Sequence, residues 1–165
     1  FDLSVAIELL REERFRDALD HLKKLPTESL ADPDVLLLWA VLLTHSGEFD
    51  PARKMCETLL QRDALSTGAH YLLALCREGR GDRDAAVEHD QTAAYLDPMF
   101  AMPRLHLGLM ARRAGDAAGA RRELTQALGL LQREDASRLL LFGGGFGREA
   151  LVALCRAELA AAEGT

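Results

Sequence analysis

Gly47-Glu48-Phe49-Asp50-Pro51-Ala52 recurs as Gly81-Asp82-Arg83-Asp84-Ala85-Ala86 and as Gly115-Asp116-Ala117-Ala118-Gly119-Ala120. A weaker copy, Glu13-Arg14-Phe15-Arg16-Asp17-Ala18, precedes them. The closing alanines stand at 18, 52, 86 and 120, a spacing of 34 each time. The glycine suits the end of one helix, where a left-handed residue closes the last turn. The acidic residue after it suits the positive end of the next helix. The closing alanine marks a place where two helices approach closely, and twelve residues earlier stands a second small residue: Ala6, Ala40, Ala74 or Gly108. Small residues on both members of a pair allow a tight antiparallel hairpin. The residue before each (Val5, Trp39, Leu73, Leu107) is apolar and is expected to be a core knob.

Outward from these segments the pattern predicts helices over 2–12, 15–25, 33–46, 49–62, 67–79, 83–95, 101–114 and 117–131. Pro33, Pro51 and Pro103 fit first turns, where a missing N–H costs little, and Pro26 and Pro98 fall just past helix ends. Composition agrees. Of 165 residues, 48% are hydrophobic and 28% charged, as in a folded chain. Only 5% are aromatic, which is unfavourable for strands. A net charge of −6 argues against nucleic-acid binding. No apolar run reaches the length of a membrane span and no signal peptide is seen, so no membrane insertion is expected. Cys56, Cys76 and Cys155 lie among apolar neighbours and read as buried, reduced thiols of a cytoplasmic protein. The chain starts at Phe1, inside an apolar helical pattern, and is expected to be a piece of a longer protein.

The 34-residue period resembles the tetratricopeptide repeat (TPR) family over residues 1 to 132. The resemblance implies an all-α, right-handed solenoid of about four helix pairs, with repeats near 1–32, 33–66, 67–100 and 101–132. Residues 133–165 are then a Gly-rich turn and a C-terminal capping helix, with Leu151, Leu154, Cys155 and Leu159 on one apolar stripe. Two departures stand out: the first repeat has Glu13 where the others have Gly, and only the third ends in a helix-breaking proline, Pro98.

The run Leu139-Leu140-Leu141-Phe142-Gly143-Gly144-Gly145-Phe146, with Arg148-Glu149-Ala150-Leu151, also resembles the tail of CheR-type chemotaxis methyltransferases that carry C-terminal tetratricopeptide repeats. So does Tyr95-Leu96-Asp97-Pro98-Met99-Phe100-Ala101-Met102-Pro103-Arg104-Leu105-His106-Leu107-Gly108. In such enzymes an upstream domain transfers methyl from S-adenosylmethionine to receptor glutamates. The resemblance therefore implies a regulatory module of a protein-glutamate O-methyltransferase, with that cofactor bound only upstream. A generic adapter in a bacterial assembly, unrelated to methylation, is the alternative.

Chemistry within the chain is expected to be absent: no catalytic, cofactor-binding or metal-binding residues are assigned. No two of His21, His45, His70, His89 and His106 stand at metal-ligand spacing on one helix. His89-Asp90 reads as a solvated or capping pair. Gly143-Gly144-Gly145 lacks the preceding strand and following Lys-Ser/Thr of a phosphate loop, and reads as a flexible turn.

The family binds proteins or peptides along a concave groove lined by the first helix of each pair. Carried onto this sequence, that register implies partner-binding residues Leu37, Val41, His45, Tyr71, Leu75, Leu105, Leu109, Arg112 and Arg113, with Leu3, Ile7, Arg11 and Glu78 as further candidates. An apolar stripe with a basic rim suits an amphipathic helix bearing acidic residues. A chemoreceptor cytoplasmic region, or the enzyme's own methyltransferase domain, would fit. The Lys/Asn/Arg clamp of chaperone-binding members is replaced here by Leu, Ile, Val and Tyr. A homodimer through exposed end helices stays open.

Overall fold

The structure, a computed structural model, describes residues 1–164. Ten α-helices and one 3₁₀ turn, Thr27–Ala31, account for its regular structure, with no strand among the described residues. The first eight helices form four antiparallel hairpins: α1 (Ser4–Arg11) with α2 (Phe15–Lys23), α3 (Pro33–His45) with α4 (Phe49–Arg62), α5 (Thr67–Gly79) with α6 (Arg83–Leu96), and α7 (Ala101–Arg113) with α8 (Ala117–Leu131). The predicted spans hold to within two residues at each end. Consecutive hairpins stack on one another, giving an all-helical solenoid.

The hairpin turns carry the repeat. Gly47, Gly81 and Gly115 take φ of 78°, 84° and 78°, and Glu13 takes 60° at the same position of the first repeat. After each, one backbone N–H reaches back over the helix end. Arg14, Glu48, Asp82 and Asp116 donate to the carbonyls of Leu9, Leu43, Arg77 and Ala111 at 2.8–2.9 Å, the closing bond of a Schellman motif. Asp82 and Asp116 then cap the next helix, accepting from Ala85 and Gly119 N–H at 3.2 and 2.9 Å. Asp32 and Ser66 cap α3 and α5 in the same way.

Small residues do what their spacing predicts. Ala6, Ala18, Ala40, Ala52, Ala74, Ala86 and Ala120 are fully buried between paired helices. At Gly108 a Cβ would come within 2.6 Å of the Leu124 side chain, so α7 and α8 touch more closely than an alanine allows. Of the four expected knobs, Leu73 and Leu107 are buried and Trp39 is half-buried. Val5, on α1, is 51% exposed.

The C-terminal part departs from the expected turn plus capping helix. A further short helix, α9 (Ala136–Phe142), precedes α10 (Arg148–Glu163). α10 caps the array by lying along α8 and touching α7. Its buried stripe is Leu151, Cys155 and Ala162, with the Cys155 thiol donating to the Leu124 carbonyl at 3.1 Å. Leu154, expected on that stripe, is 39% exposed on the outer side. All three cysteines are free and buried. α9 does not continue the stack. It crosses back over the first helices of the early repeats, touching α1 and α3.

Candidate partner-binding groove

Position 100 of the repeat pattern is Phe, where its counterparts Asp32 and Ser66 supply an N-cap. The missing cap for α7 comes from one period later: Glu134, itself buried, accepts from Ala101 N–H at 3.0 Å. The same carboxylate receives Arg138 in a two-pronged pair, Nε to Oε1 and Nη2 to Oε2, both at 3.0 Å. Arg138 Nη1 donates to Asp97 Oδ2 at 2.5 Å, and the guanidinium lies 4.4 Å above the Phe100 ring. Burial works to raise the Asp97 pKa, but Arg138 and backbone N–H groups outweigh it and hold the carboxyl below its ordinary value. The start of α9 is thus fixed by two carboxylates and an aromatic face.

The end of α9 is fixed by an aromatic socket. Phe142 is 5% exposed, with its ring 5.1 Å from Phe100 and 5.9 Å from Tyr71, both edge-on. Gly68 forms the floor: a Cβ there would lie 2.8 Å from Phe142 Cζ and 3.3 Å from Leu37 Cδ1. Such rings gain about 0.5–1.5 kcal/mol per pair beyond their area burial. His45 Nε2 donates to the Leu141 carbonyl at 3.3 Å, and its ring leans on Phe15 at 5.5 Å. Burial lowers the His45 pKa, favouring the neutral ring. Beyond Phe142 the chain reverses through Gly144 and Gly145, at φ of 65° and 93°, with Glu13 packed against Gly145. A cleft of about 580 Å³ remains between α1 and α9, walled by Ile7, Leu10, Leu140, Leu141 and Phe142, with Arg138 and Asp135 at its edge.

The predicted groove residues divide accordingly. His45 and Tyr71 meet the α9 segment, and Leu37 lies beside Gly68 at the floor of the Phe142 socket. Val41, Tyr71 and Leu105 are buried in the core, so no partner reaches them as the chain stands. Leu75 and Leu109 are half-buried, and pack against that core. Arg112 and Arg113, expected as a basic rim, are both paired: Arg112 with Glu158 of α10 at 3.4 Å, Arg113 with Glu78 at 2.6 Å. Both expected rim residues thus face a carboxylate of the chain itself, Arg113 while 63% exposed.

A second cluster joins α5, α6 and α7. Asp90, expected to be solvated, is fully buried and accepts from His106 Nδ1 at 2.5 Å. His106 Nε2 donates to Glu78 Oε1 at 2.9 Å, and Tyr71 sets its ring edge-on to the imidazole. Burial alone would lower the His106 pKa, but the two carboxylates push it up to about 9. Burial raises Asp90 to about 7 against the pull of His106. With both imidazole nitrogens donating to carboxylates, the ring is an imidazolium locked between helices and has no free nitrogen for proton transfer. No group of three or more metal-ligating side chains occurs among the described residues.

The sequence reading overlooked Arg138, Phe142, Asp97, Glu134 and Gly68. One signal was available: Arg138 and Phe142 stand four apart, on one helical face, just before the glycines.

With this geometry in view, the comparisons are informative. The family model described as "Tetratricopeptide repeat" matches residues 9–76. A probable biofilm formation methyltransferase, WspC, of Pseudomonas putida is 33% identical over 87 residues, which is 53% of this chain and 20% of the relative. A TPR repeat-containing protein of Pseudomonas aeruginosa, PA4299, is 30% identical over 156 residues, covering 84% of this chain and 62% of the relative. The chain thus spans about a fifth of the methyltransferase relatives and under two thirds of the repeat protein. Among solved structures, PcrH in complex with the chaperone binding region of PopD superposes with a TM-score of 0.66 at 22% identity, over 86% of this chain and 96% of that one. The Yersinia enterocolitica type III secretion chaperone SycD with a peptide of the translocator YopD gives 0.66 at 19%, over 85% and 96%. At such identities the likeness establishes the fold alone. Period, turn geometry, the family match over residues 9–76 and the structural neighbours agree on the fold, an all-helical solenoid of hairpins similar to tetratricopeptide repeats.

Proposed function

We propose that this chain is the regulatory interaction domain of a chemoreceptor-type glutamate methyltransferase of the bacterial cytoplasm. It would engage a protein helix, from a receptor's cytoplasmic region or from the enzyme's own catalytic domain, along the face lined by α1, α3, α5 and α7. The observation that carries this reading is the similarity to the WspC methyltransferases, at 33% and 34% identity over 87 and 80 residues. The catalytic work, methyl transfer from S-adenosylmethionine to a glutamate, belongs to a domain outside this chain. Calorimetric titration with a chemoreceptor cytoplasmic hairpin and, separately, with the methyltransferase domain tests it. Saturable binding to either supports the reading, and binding to neither refutes it.

The second reading, an adapter unrelated to methylation, is favoured by one observation. The relative matched over most of this chain, PA4299, is named only for its repeats. Two neighbours of the same fold hold a segment of another protein, the chaperone binding region of PopD in one and a peptide of the translocator YopD in the other. A module of this reading would bind neither methylation component and would instead retain a short segment of another partner.

A further inference from the structure

The interaction surface of this fold already has an occupant, and the occupant reports what the surface recognises. Only two α9 side chains reach both a charged clamp and an aromatic socket: Arg138 at its start and Phe142 one turn later. The clamp is Asp97, Glu134 and the Phe100 face. The socket is Tyr71, Phe100, Leu37 and the bare backbone of Gly68. Neither depends on α9 for its placement. Asp97 stands at the C-terminal end of α6, where it also accepts from Met99 N–H at 3.1 Å. Glu134 is held by Ala101 N–H, and its own carbonyl is held by Arg148 at 2.5 Å. Removing α9 therefore leaves two carboxylates and an open aromatic pocket, a site that attracts a cation and an aromatic ring spaced by one helical turn.

α9 is suited to leave. It has seven residues, too few to be a stable helix alone, and it is followed by three glycines. Leu140, Leu141 and Phe142 border the open 580 Å³ cleft, so only part of the helix, chiefly Leu139 and the inner side of Phe142, is sealed in the core. We propose that this face is a reader of short helices carrying Arg or Lys four residues before Phe, that Arg138 and Phe142 fill it in cis, and that a partner helix of the same pattern takes the site by displacing α9. The proposal deepens the interaction-module reading by naming the partner's chemistry, and it holds whether that partner is a receptor, a catalytic domain or an adapter's client.

The probe is a labelled peptide of the α9 segment itself, residues 136–146, titrated by fluorescence anisotropy into the full chain. The Phe142→Ala variant, its cis anchor weakened, is expected to bind at least tenfold more tightly than the unaltered chain, whose own segment competes at high effective concentration. Peptides with alanine at the Arg138 or Phe142 position are expected to lose binding to both. Circular dichroism and a cooperative melt establish that the variant is folded. Gly68→Ala provides a second handle, because it narrows the socket and sits in a helix, where alanine is favourable. Phe142→Ala/Gly68→Ala is expected to bind at least tenfold more weakly than Phe142→Ala. A folded Phe142→Ala chain that ignores the peptide, or that binds it and its alanine versions alike, would overturn the proposal. Failure of receptor and catalytic-domain titrations would leave these outcomes untouched.

Discussion

Raising the pH from 6.5 to 9 should destabilise this fold, because the chain buries an imidazolium. His106 is held between Asp90 and Glu78 and its pKa is pushed up to about 9 from an ordinary 6.5. The folded state therefore keeps a proton that the unfolded state releases, and stability falls with rising pH across the interval. The gap between those two values converts to about 3 kcal/mol lost from His106 alone. Asp90, raised to about 7 by burial, adds to the loss in the lower part of the interval. Its second oxygen is buried without a partner, which adds to the cost of ionising it. Other facing charges do not reverse the sign. Glu78 is lowered by His106 and titrates well below the interval. Arg113 pairs with the other oxygen of Glu78. Cys56, Cys76 and Cys155, all raised by burial, act in the same direction but only as the pH nears the unfolded thiol value at the top of the interval. Urea unfolding followed by far-ultraviolet circular dichroism at pH 6.5, 7.5, 8.5 and 9 measures the slope. The Asp90→Asn/His106→Gln double variant keeps amide hydrogen bonding between helices without a titrating pair, and its slope should be nearly flat over this range. Equal slopes for the two proteins would show that His106 is not a buried cation.

Four further outcomes follow from the packing and the turns. Ala86→Leu should overpack the α5–α6 hairpin against Leu107 and Met110 and cost about 1–3 kcal/mol; an unchanged melting temperature would contradict the repeat register. Glu13→Gly should raise the stability by about 0.5–1 kcal/mol, because the left-handed strain relieved slightly exceeds the glycine's entropic cost. Gly81→Ala should lower it by about 1 kcal/mol through the φ of 84° alone, since nothing lies within 4 Å of the added methyl; paired denaturation curves check both. Arg148→Ala should remove the donors that close the α8 end and the Glu134 carbonyl, and limited proteolysis should then cut within 143–147 faster.

The solenoid was legible because a repeat states its own physics several times. One glycine before an acidic residue is weak, but three at equal spacing, each with small residues on both helices, define turns, caps and close contacts together. Glu13 shows the strength of that logic, adopting the left-handed turn despite its side chain because the later repeats fix where the turn must fall. The groove was only half legible. Periodicity placed Leu37, His45 and Tyr71 on the face that α9 covers, but it cannot tell that Val41 and Leu105 sink below the surface, or that Arg112 and Arg113 find carboxylates 46 and 35 residues away. Those pairings depend on the rotation between successive hairpins, which no local pattern encodes. His89-Asp90 misled for a similar reason. On a helix, neighbouring residues point about 100° apart, so Asp90 turns inward to His106 while His89 meets His70, 3.4 Å between their Nδ1 atoms.

α9 illustrates how a repeat array can encode recognition outside its period. Its Asp135 cap stands one residue past Glu134, the counterpart of Asp32 and Ser66, so the chain begins what would be a fifth first helix. Glu134, however, is diverted to cap α7, and the helix ends after seven residues at Gly143 instead of running for about thirteen. A truncated helix cannot bury a full face against α7, and α10 takes the α7–α8 surface in its place. The leftover apolar run, Leu139 to Phe142, must then find cover elsewhere, and the nearest unfilled apolar surface is the face of the first helices. Self-occupation of the groove is thus a consequence of cutting the fifth repeat short. The charge of the site follows as well: the carboxylate displaced from its capping duty at the fifth helix becomes half of the clamp, which is why the filled groove selects a cation although its predicted rim was basic.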